Sequence, residues 1–165
     1  MADASVRPAD PDEATGVERV ARESWHAAYD DILGADTVDS VLDEWYDVDG
    51  LRESIDRDDH VFLVADDGGV AGFAHAGRPP DDDYWHLTRI YVLPDRWGDG
   101  VGTALLERLE SELDEREVES YRLAVLADNE VGVSFYESRG FERFDEGTVE
   151  LGGVETTEYW YRKEV

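Results

Sequence analysis

The chain has 165 residues, 41% of them apolar and 11% aromatic, with 42 acidic against 15 basic side chains and a net charge of −27. That length supports one core and is read as a single domain over residues 1–165, and the apolar and aromatic content rules out the disorder that such charge would otherwise imply. No basic stripe exists to displace counter-ions from nucleic acid, the absence of cysteine excludes disulfides, thiolate metal sites and an acyl-cysteine intermediate, and neither a leader-like start nor an apolar run of membrane length is present.

A soluble, cytoplasmic protein is the expectation. The acid surplus is read as adaptation to molar salt, where the Debye length falls to about 3 Å and dense like charge stops being destabilising. The single lysine, Lys163, adds to that compositional bias.

Near the start, Asp10, Pro11 and Glu13 supply an N-cap, a first helical position and an N3 acid, a capping box that opens a helix. Val17, Val20, Ala21 and Ala28 fall on one face of it, with Trp25, Tyr29 and Ile32 beside them. A second helix is predicted around Val38 to Trp45, and Leu51 and Ile55 suggest a further turn or two. The period then changes. "HVFLVAD" and "VAGFAHAG", split by "DGG", read as a hairpin, and a polar loop, Arg78 to Asp83, leads to the long strand "YWHLTRIYVLP" ended by Pro94.

Val101, Leu105, Leu109 and Leu113 recur every fourth residue and define an amphipathic helix. "SYRLAVLA" reads as a buried strand, "NEVGVSFYESRG" as a shorter helix with Gly140 at C′ and Phe141 packing back on it, and "FERFDEG" and "TTEYWYRK" as closing strands. The order is strand, two helices, three strands, helix, strand, helix, two strands. This is an α+β architecture, a mixed sheet with helices on it.

The segment Leu93 to Glu110, "LPDRWGDGVGTALLERLE", runs from a strand through closely spaced glycines into a helix N-terminus. Amide N–H groups converge at such a bend, and the helix dipole adds partial positive charge, so the arrangement suits phosphate. A glycine-rich turn without ligand has the same spacing. A Walker A loop would need Gly-Lys-Ser/Thr, and no lysine occurs here. For a dinucleotide fold, Asp128 imitates the required acid, but 37 residues are too few to finish a doubly wound sheet.

The segment "YVLPDRWGDGVGTALL" resembles the acetyl-CoA-binding motif of the GCN5-related N-acetyltransferases, Gln/Arg-x-x-Gly-x-Gly/Ala. "DNEVGVSFYESRGFERF" resembles the later signature of that family, an Asn, then Phe-Tyr, then Gly-Phe closing the helix. "ESWHAAYDDIL" is similar to the first helix of many members, so the resemblance spans nearly the whole chain. It implies an acyl-CoA N-acyltransferase fold, a mostly antiparallel central sheet flanked by helices. It implies acetyl-CoA as co-substrate, without a metal, and an acetyl group moved to a primary amine of a small molecule or protein by direct attack.

By the same resemblance, the pyrophosphate of CoA would rest on Trp97, Gly98, Asp99, Gly100, Val101, Gly102 and Thr103. The pantetheine arm would pair with the backbone of Ile90 and Val92, helped by Asn129, which is otherwise an N-cap. Trp97 replaces a usual Gln or Arg and Gly132 a usual Ala. Asp99 is the larger departure, an acid where members often carry Arg or Lys. In concentrated salt, amides at close range would outweigh that one side chain.

Three tasks remain for catalysis. A base must take the proton of the amine, and His86 is the candidate, directly or through water. It stands four residues before Ile90, where some relatives place a glutamate, and simple alternation would put both on one face. His75, on the neighbouring strand, is the runner-up, with His26 and His60 behind it. The amide of Ile90 would receive charge on the thioester oxygen, and Tyr136 would donate to the leaving thiolate, both by resemblance.

Trp25, Tyr29, Trp45, Tyr84 and Trp85 are candidate walls for the acceptor, and Asp30, Asp31 or Asp83 could attract a cationic amine. The final strands could build a homodimer. A CoA-binding sensor on the same fold and a nucleotide-binding module are the competing functions.

Overall fold

The structure is a computed structural model and describes residues 5–165. The first four residues, on which the expectation of no leader bears, lie outside the described residues.

A short strand β1 (Ser5–Pro8) precedes the capping box. Asp10 accepts from the Asp12 amide and Glu13 returns a bond to the backbone of Asp10, as the spacing predicts. Glu13 also receives Arg7, which reaches Asp66 as well, so the cap is tied to the sheet. Helix α1 (Ala14–Leu33) follows, then α2 (Ala35–Trp45) and α3 (Val48–Ile55). The last is a helix in its own right, because the Asp47 side chain caps the Gly50 amide.

The hairpin strands are β2 (Val61–Asp66) and β3 (Val70–Gly77), followed by β4 (Trp85–Val92) and α4 (Val101–Glu115). Then come β5 (Ser120–Leu126), α5 (Glu130–Ser138), β6 (Glu142–Leu151) and β7 (Val154–Glu164). Helix α5 ends as expected. The Gly140 amide reaches the Glu137 carbonyl and the Phe141 amide the Tyr136 carbonyl, with Gly140 at φ 91° and Phe141 buried. The closing strands run longer than expected, because Gly152 and Gly153 at φ 56° and 85° form a tight hairpin turn between them.

The seven strands form one sheet in the order β1-β2-β3-β4-β5-β7-β6. Every neighbouring pair is antiparallel except β4 and β5. Alternate residues of β2 feed two cores, Phe62 and Val64 toward α1–α3 and Val61, Leu63 and Ala65 toward α4, which is why this strand reads as unbroken apolar sequence. The face of α1 is Val17, Val20, Ala21, Trp25, Tyr29 and Leu33. That of α4 is the predicted four-residue repeat with Leu106 added.

Between β3 and β4 the register passes from His75↔Arg89 to Ala76↔Leu87, leaving Thr88 as an extra residue on β4. The bulge inverts the alternation. Leu87, Ile90 and Val92 pack toward the α4 core, while His86 faces the other way. The expectation that His86 and Ile90 share a face is therefore corrected: a period of two does not survive an inserted residue.

His26 stands 2.6 Å through Nδ1 from Asp30 of its own helix and joins α1 to α2 through Asp39, at 2.9 Å from Nε2; Asp39 also receives Arg22. Burial alone would lower its pKa, but the two carboxylates together raise it above 6.5. The imidazolium then stabilises the fold fully below the unfolded value, and that contribution is lost as pH rises through the folded value. Melting curves of His26→Gln should show a deficit of a few degrees at pH 6 that closes by about pH 9. A pH-independent deficit would remove the ion pair as its cause.

Candidate active site

Strands β4 and β5 are paired only at Trp85↔Tyr121 and His86↔Arg122 and then separate. β4 stays with β3 as far as Val92 and β5 with β7 as far as Leu126, so a gap opens toward their C-terminal ends. A cavity of about 780 Å³ fills it, lined by both strands, α1, the glycine bend and α5. Leu93 donates to Ala71 of β3. By strand alternation Tyr91 and Arg89 also turn their backbone polar groups toward β3, and Ile90 and Val92 present theirs to the gap.

The glycine bend closes one end. Gly98 and Gly100 adopt φ 85° and 86°, and a Cβ at either would meet nothing within 4 Å. This is an open cradle shaped by backbone conformation. The Trp97 and Asp99 amides are engaged by Pro94 and Arg96, and Ala104 begins the helical bonds by donating to Gly100. Among the described residues the amides of Gly98, Gly100, Val101, Gly102 and Thr103 have no backbone acceptor, and no side chain caps α4. Five donors at a helix N-terminus suit a diphosphate. The Trp97 and Asp99 amides do not belong to that set.

The side chains complete the correction. Trp97 donates its indole N–H to the Val92 carbonyl at 2.8 Å, occupying one of the backbone groups expected to meet pantetheine. Asp99 lies outside the cavity lining, exposed and 3.3 Å from Arg96 Nε. Arg96 also pairs with Asp67 and lines the cavity. Arg139 does so too, and it escaped the sequence reading. Its guanidinium donates to the Thr103 hydroxyl, at 3.1 Å from Nε, and lies 4.4 Å over the Phe135 ring. No sequence signal marked it, since only the assembled fold brings the C-terminal turn of α5 to the start of α4.

Asn129 caps α5 by accepting from Gly132 at 3.0 Å and donates to the Tyr29 hydroxyl at 2.8 Å, bridging α5 and α1 across the cavity. A Cβ at Gly132 would already stand 2.7 Å from Asn129 Nδ2, and Gly102 lets α4 approach Phe135. Tyr136 lines the cavity, and burial pushes its phenol pKa up, so it stays protonated. Tyr29 is pushed up to about 12 by burial, partly offset by Asn129.

The histidines are elsewhere. His86 is not part of the lining. Its Nε2 stands 2.7 Å from Asp82, whose other oxygen caps the Tyr84 amide, and its ring meets Trp160 edge-on. His75 is buried against Phe62 and 2.8 Å from His60, with its pKa lowered to about 3 by burial and by Arg89. Of the expected walls, Trp25, Tyr29 and Trp45 line the cavity. Tyr84 instead stacks on Arg122 at 3.6 Å, and Trp85 packs in the α4 core. The carboxylates at the cavity are Asp128, Glu130 and Glu158, not Asp30, Asp31 or Asp83. Among the described residues no cluster of His, Cys, Asp or Glu is placed to hold a metal ion, and no helix is long and apolar enough to cross a membrane.

An anion cradle at the end of a cleft between two parting parallel strands is the arrangement expected of an acyl-CoA transferase. The profile of the acetyltransferase (GNAT) family matches residues 20–141. A spermidine N(1)-acetyltransferase of Thermoplasma acidophilum is 31% identical over 74% of this chain and 78% of its own. The ribosomal protein bS18-alanine N-acetyltransferase of Escherichia coli is 36% identical over 59% and 62%. The crystal structure of PaiA N-acetyltransferase from Thermoplasma acidophilum, in complex with coenzyme A, superposes with a TM-score of 0.88 at 25% identity, covering 100% of both chains. The chain belongs to the acetyltransferase (GNAT) family, and its chemistry is N-acetyl transfer from acetyl-CoA. The free amides of the bend and the open space above its glycines fit that co-substrate.

Arg139 supplies a cation beside those amides. Its loss in Arg139→Ala should raise the Kd for CoA about tenfold by calorimetry, with Arg139→Lys intermediate. An unchanged Kd would detach the guanidinium from the phosphates.

Proposed function

We propose that the chain acetylates a primary amine of a small molecule or protein by direct attack on acetyl-CoA in a ternary complex. The observation that carries this reading is the alignment, along one cleft, of the five free amides with the Ile90 and Val92 backbone groups that have no strand partner. The diphosphate would lie on the amides and the pantetheine along β4, which brings the thioester to the middle of the cavity. The Ile90 amide is then the donor for the thioester oxygen as charge builds there. Val92 offers its carbonyl only if the Trp97 indole yields it, so Trp97 must move, or the arm relies on Ile90.

Tyr136 is assigned to the departing sulfur. A phenol held above its usual pKa of about 10 does not readily surrender its proton to a thiolate of pKa near 8.5. It therefore acts as a hydrogen-bond donor that stabilises the thiolate. The amine proton is assigned to water in the cavity, with Glu158, Asp128 and Glu130 as the charges that draw an ammonium in and accept its proton through that water. His86, initially assigned as the base, takes the indirect role of holding Asp82 and the loop before β4.

A general base contributes about 100-fold or more. Thiol release from acetyl-CoA with a panel of amines should find kcat/KM of His86→Gln within about threefold of the parent, and kcat of Tyr136→Phe reduced about tenfold. A loss of 100-fold or more in His86→Gln across the pH range would restore it as the base.

We further propose that the acid surplus is a salt adaptation and the protein cytoplasmic. A net charge of −27 repels anionic CoA at long range, and screening removes that repulsion while leaving close contacts in place. CoA affinity should therefore rise as KCl is added from low salt. A steady fall, with circular dichroism showing the fold intact, would contradict the adaptation.

A further inference from the structure

Arg89 lies at the acceptor half of the cavity, on the α1 side of β4. It donates to the Trp45 carbonyl at 2.8 Å from Nη2 and lies 4.9 Å over the ring of Tyr46. Nη1 is buried and has no hydrogen-bond partner, and Arg89 forms no ion pair among the described residues. This is not for want of acids, since the chain has 42. At the other end of the same cavity Arg96 is matched by both Asp67 and Asp99. Its neighbour across the sheet, His75, is held neutral and so neither adds to the charge nor offsets it.

A second donor is left over in the same place. Trp25 lines the cavity, packs 5.9 Å from Tyr46 and 6.1 Å from Tyr91, and its Nε1 is buried without an acceptor. Burial raises the Tyr46 phenol pKa, partly offset by Tyr91, Arg89 and Trp25, although neither Arg89 Nη1 nor Trp25 Nε1 has a hydrogen-bond partner among the described residues. A permanent cation and an indole N–H, both set against one aromatic ring, leave two donors for two oxygens. Polyamine chemistry has no use for them, since a second ammonium would be repelled by the guanidinium. On the far side of β5, Glu158 supplies the negative charge for the ammonium.

We propose that Arg89, seconded by Trp25, is the specificity determinant of the acceptor site and selects an amine that also carries a carboxylate. The inference rests on the amine-acetylation reading above. The carboxylate would enter past Trp45, which is 42% exposed at the cavity edge, and would satisfy Arg89 Nη1 and Trp25 Nε1 while the amine turns toward the thioester.

The test compares matched acceptors with acetyl-CoA and the full chain: an apolar α-amino acid, its carboxamide, and the amine left when the carboxyl group is removed. The parent protein should favour the acid over the amine by about tenfold or more in kcat/KM, chiefly through KM, with the carboxamide between. Arg89→Gln should collapse that ratio to about one, and Arg89→Lys should restore part of it, because the charge returns without the planar fork. Equal use of acid and amine by the parent, or a ratio that survives Arg89→Gln, overturns the inference. So does acetylation confined to polyamines, which leaves the transferase reading standing. Failure of every amine tested to elicit thiol release from acetyl-CoA would instead sink that reading and this one with it.

Should Arg89→Gln fail to fold, calorimetry on the parent decides. The N-acetylated acid should bind at least about tenfold tighter than the N-acetylated amine, and equal affinities overturn the proposal.

Discussion

The separation of β4 from β5 is the constraint on which the rest of the molecule depends. Two residue pairs hold the strands together at one end, and beyond them each strand is committed to its outer neighbour. The backbone groups of Ile90 and Val92 are thereby left without a strand partner, in a place where leaving one buried and unpaired costs about 1–3 kcal/mol. The fold meets part of that demand itself, through the Trp97 indole on the Val92 carbonyl. What remains selects a ligand with amides of its own. The gap stays open because its two sides are filled by different packing, Trp25 and Tyr29 of α1 on one and Phe135 and Tyr136 of α5 on the other. The Asn129 to Tyr29 hydrogen bond ties these sides together without closing the space.

Charge is distributed against the trend of the composition. The surface carries the acid surplus, yet the two ends of the cavity each present a guanidinium that, among the described residues, no carboxylate neutralises, Arg139 beside Thr103 and Arg89 beside Tyr46. Aromatic rings take the place of counter-ions at both. An arginine on a ring keeps its charge available to an incoming anion, whereas one in an ion pair must give up a partner first. Asp99 illustrates the complementary device: an acid within the glycine bend is harmless because Arg96 draws it outward, and the amides that remain face the cavity without it.

The elements were legible where local chemistry decides. The capping box at Asp10, the four-residue repeat from Val101 to Leu113 and the Gly140 stop each depend on neighbours within a turn, and each formed as read. The binding bend was legible too, because glycines at Gly98 and Gly100 announce backbone conformations that few other residues adopt. The bulge at Thr88 was not. Nothing in "WHLTRIYV" distinguishes an inserted residue from a regular strand, since the register of β3 creates it, and a single inserted residue was enough to turn His86 away. Arg89 and Arg139 were invisible for a related reason. Their significance lies in what they lack, and an absent partner is a property of the assembled fold.

The acceptor half of the cavity gains its character from this combination. Burial keeps Tyr29, Tyr46 and Tyr91 protonated at any ordinary pH, so the phenols around Trp25 cannot serve as bases or counter-ions. No histidine enters the lining, and the carboxylates stand at the α5 end and on β7. On the proposed reading an ammonium loses its proton on the side nearest Glu158, Asp128 and Glu130, and a negative charge on the same substrate lies on the side of Arg89. On that reading the polarity orients an acceptor along the cavity before the chemistry begins.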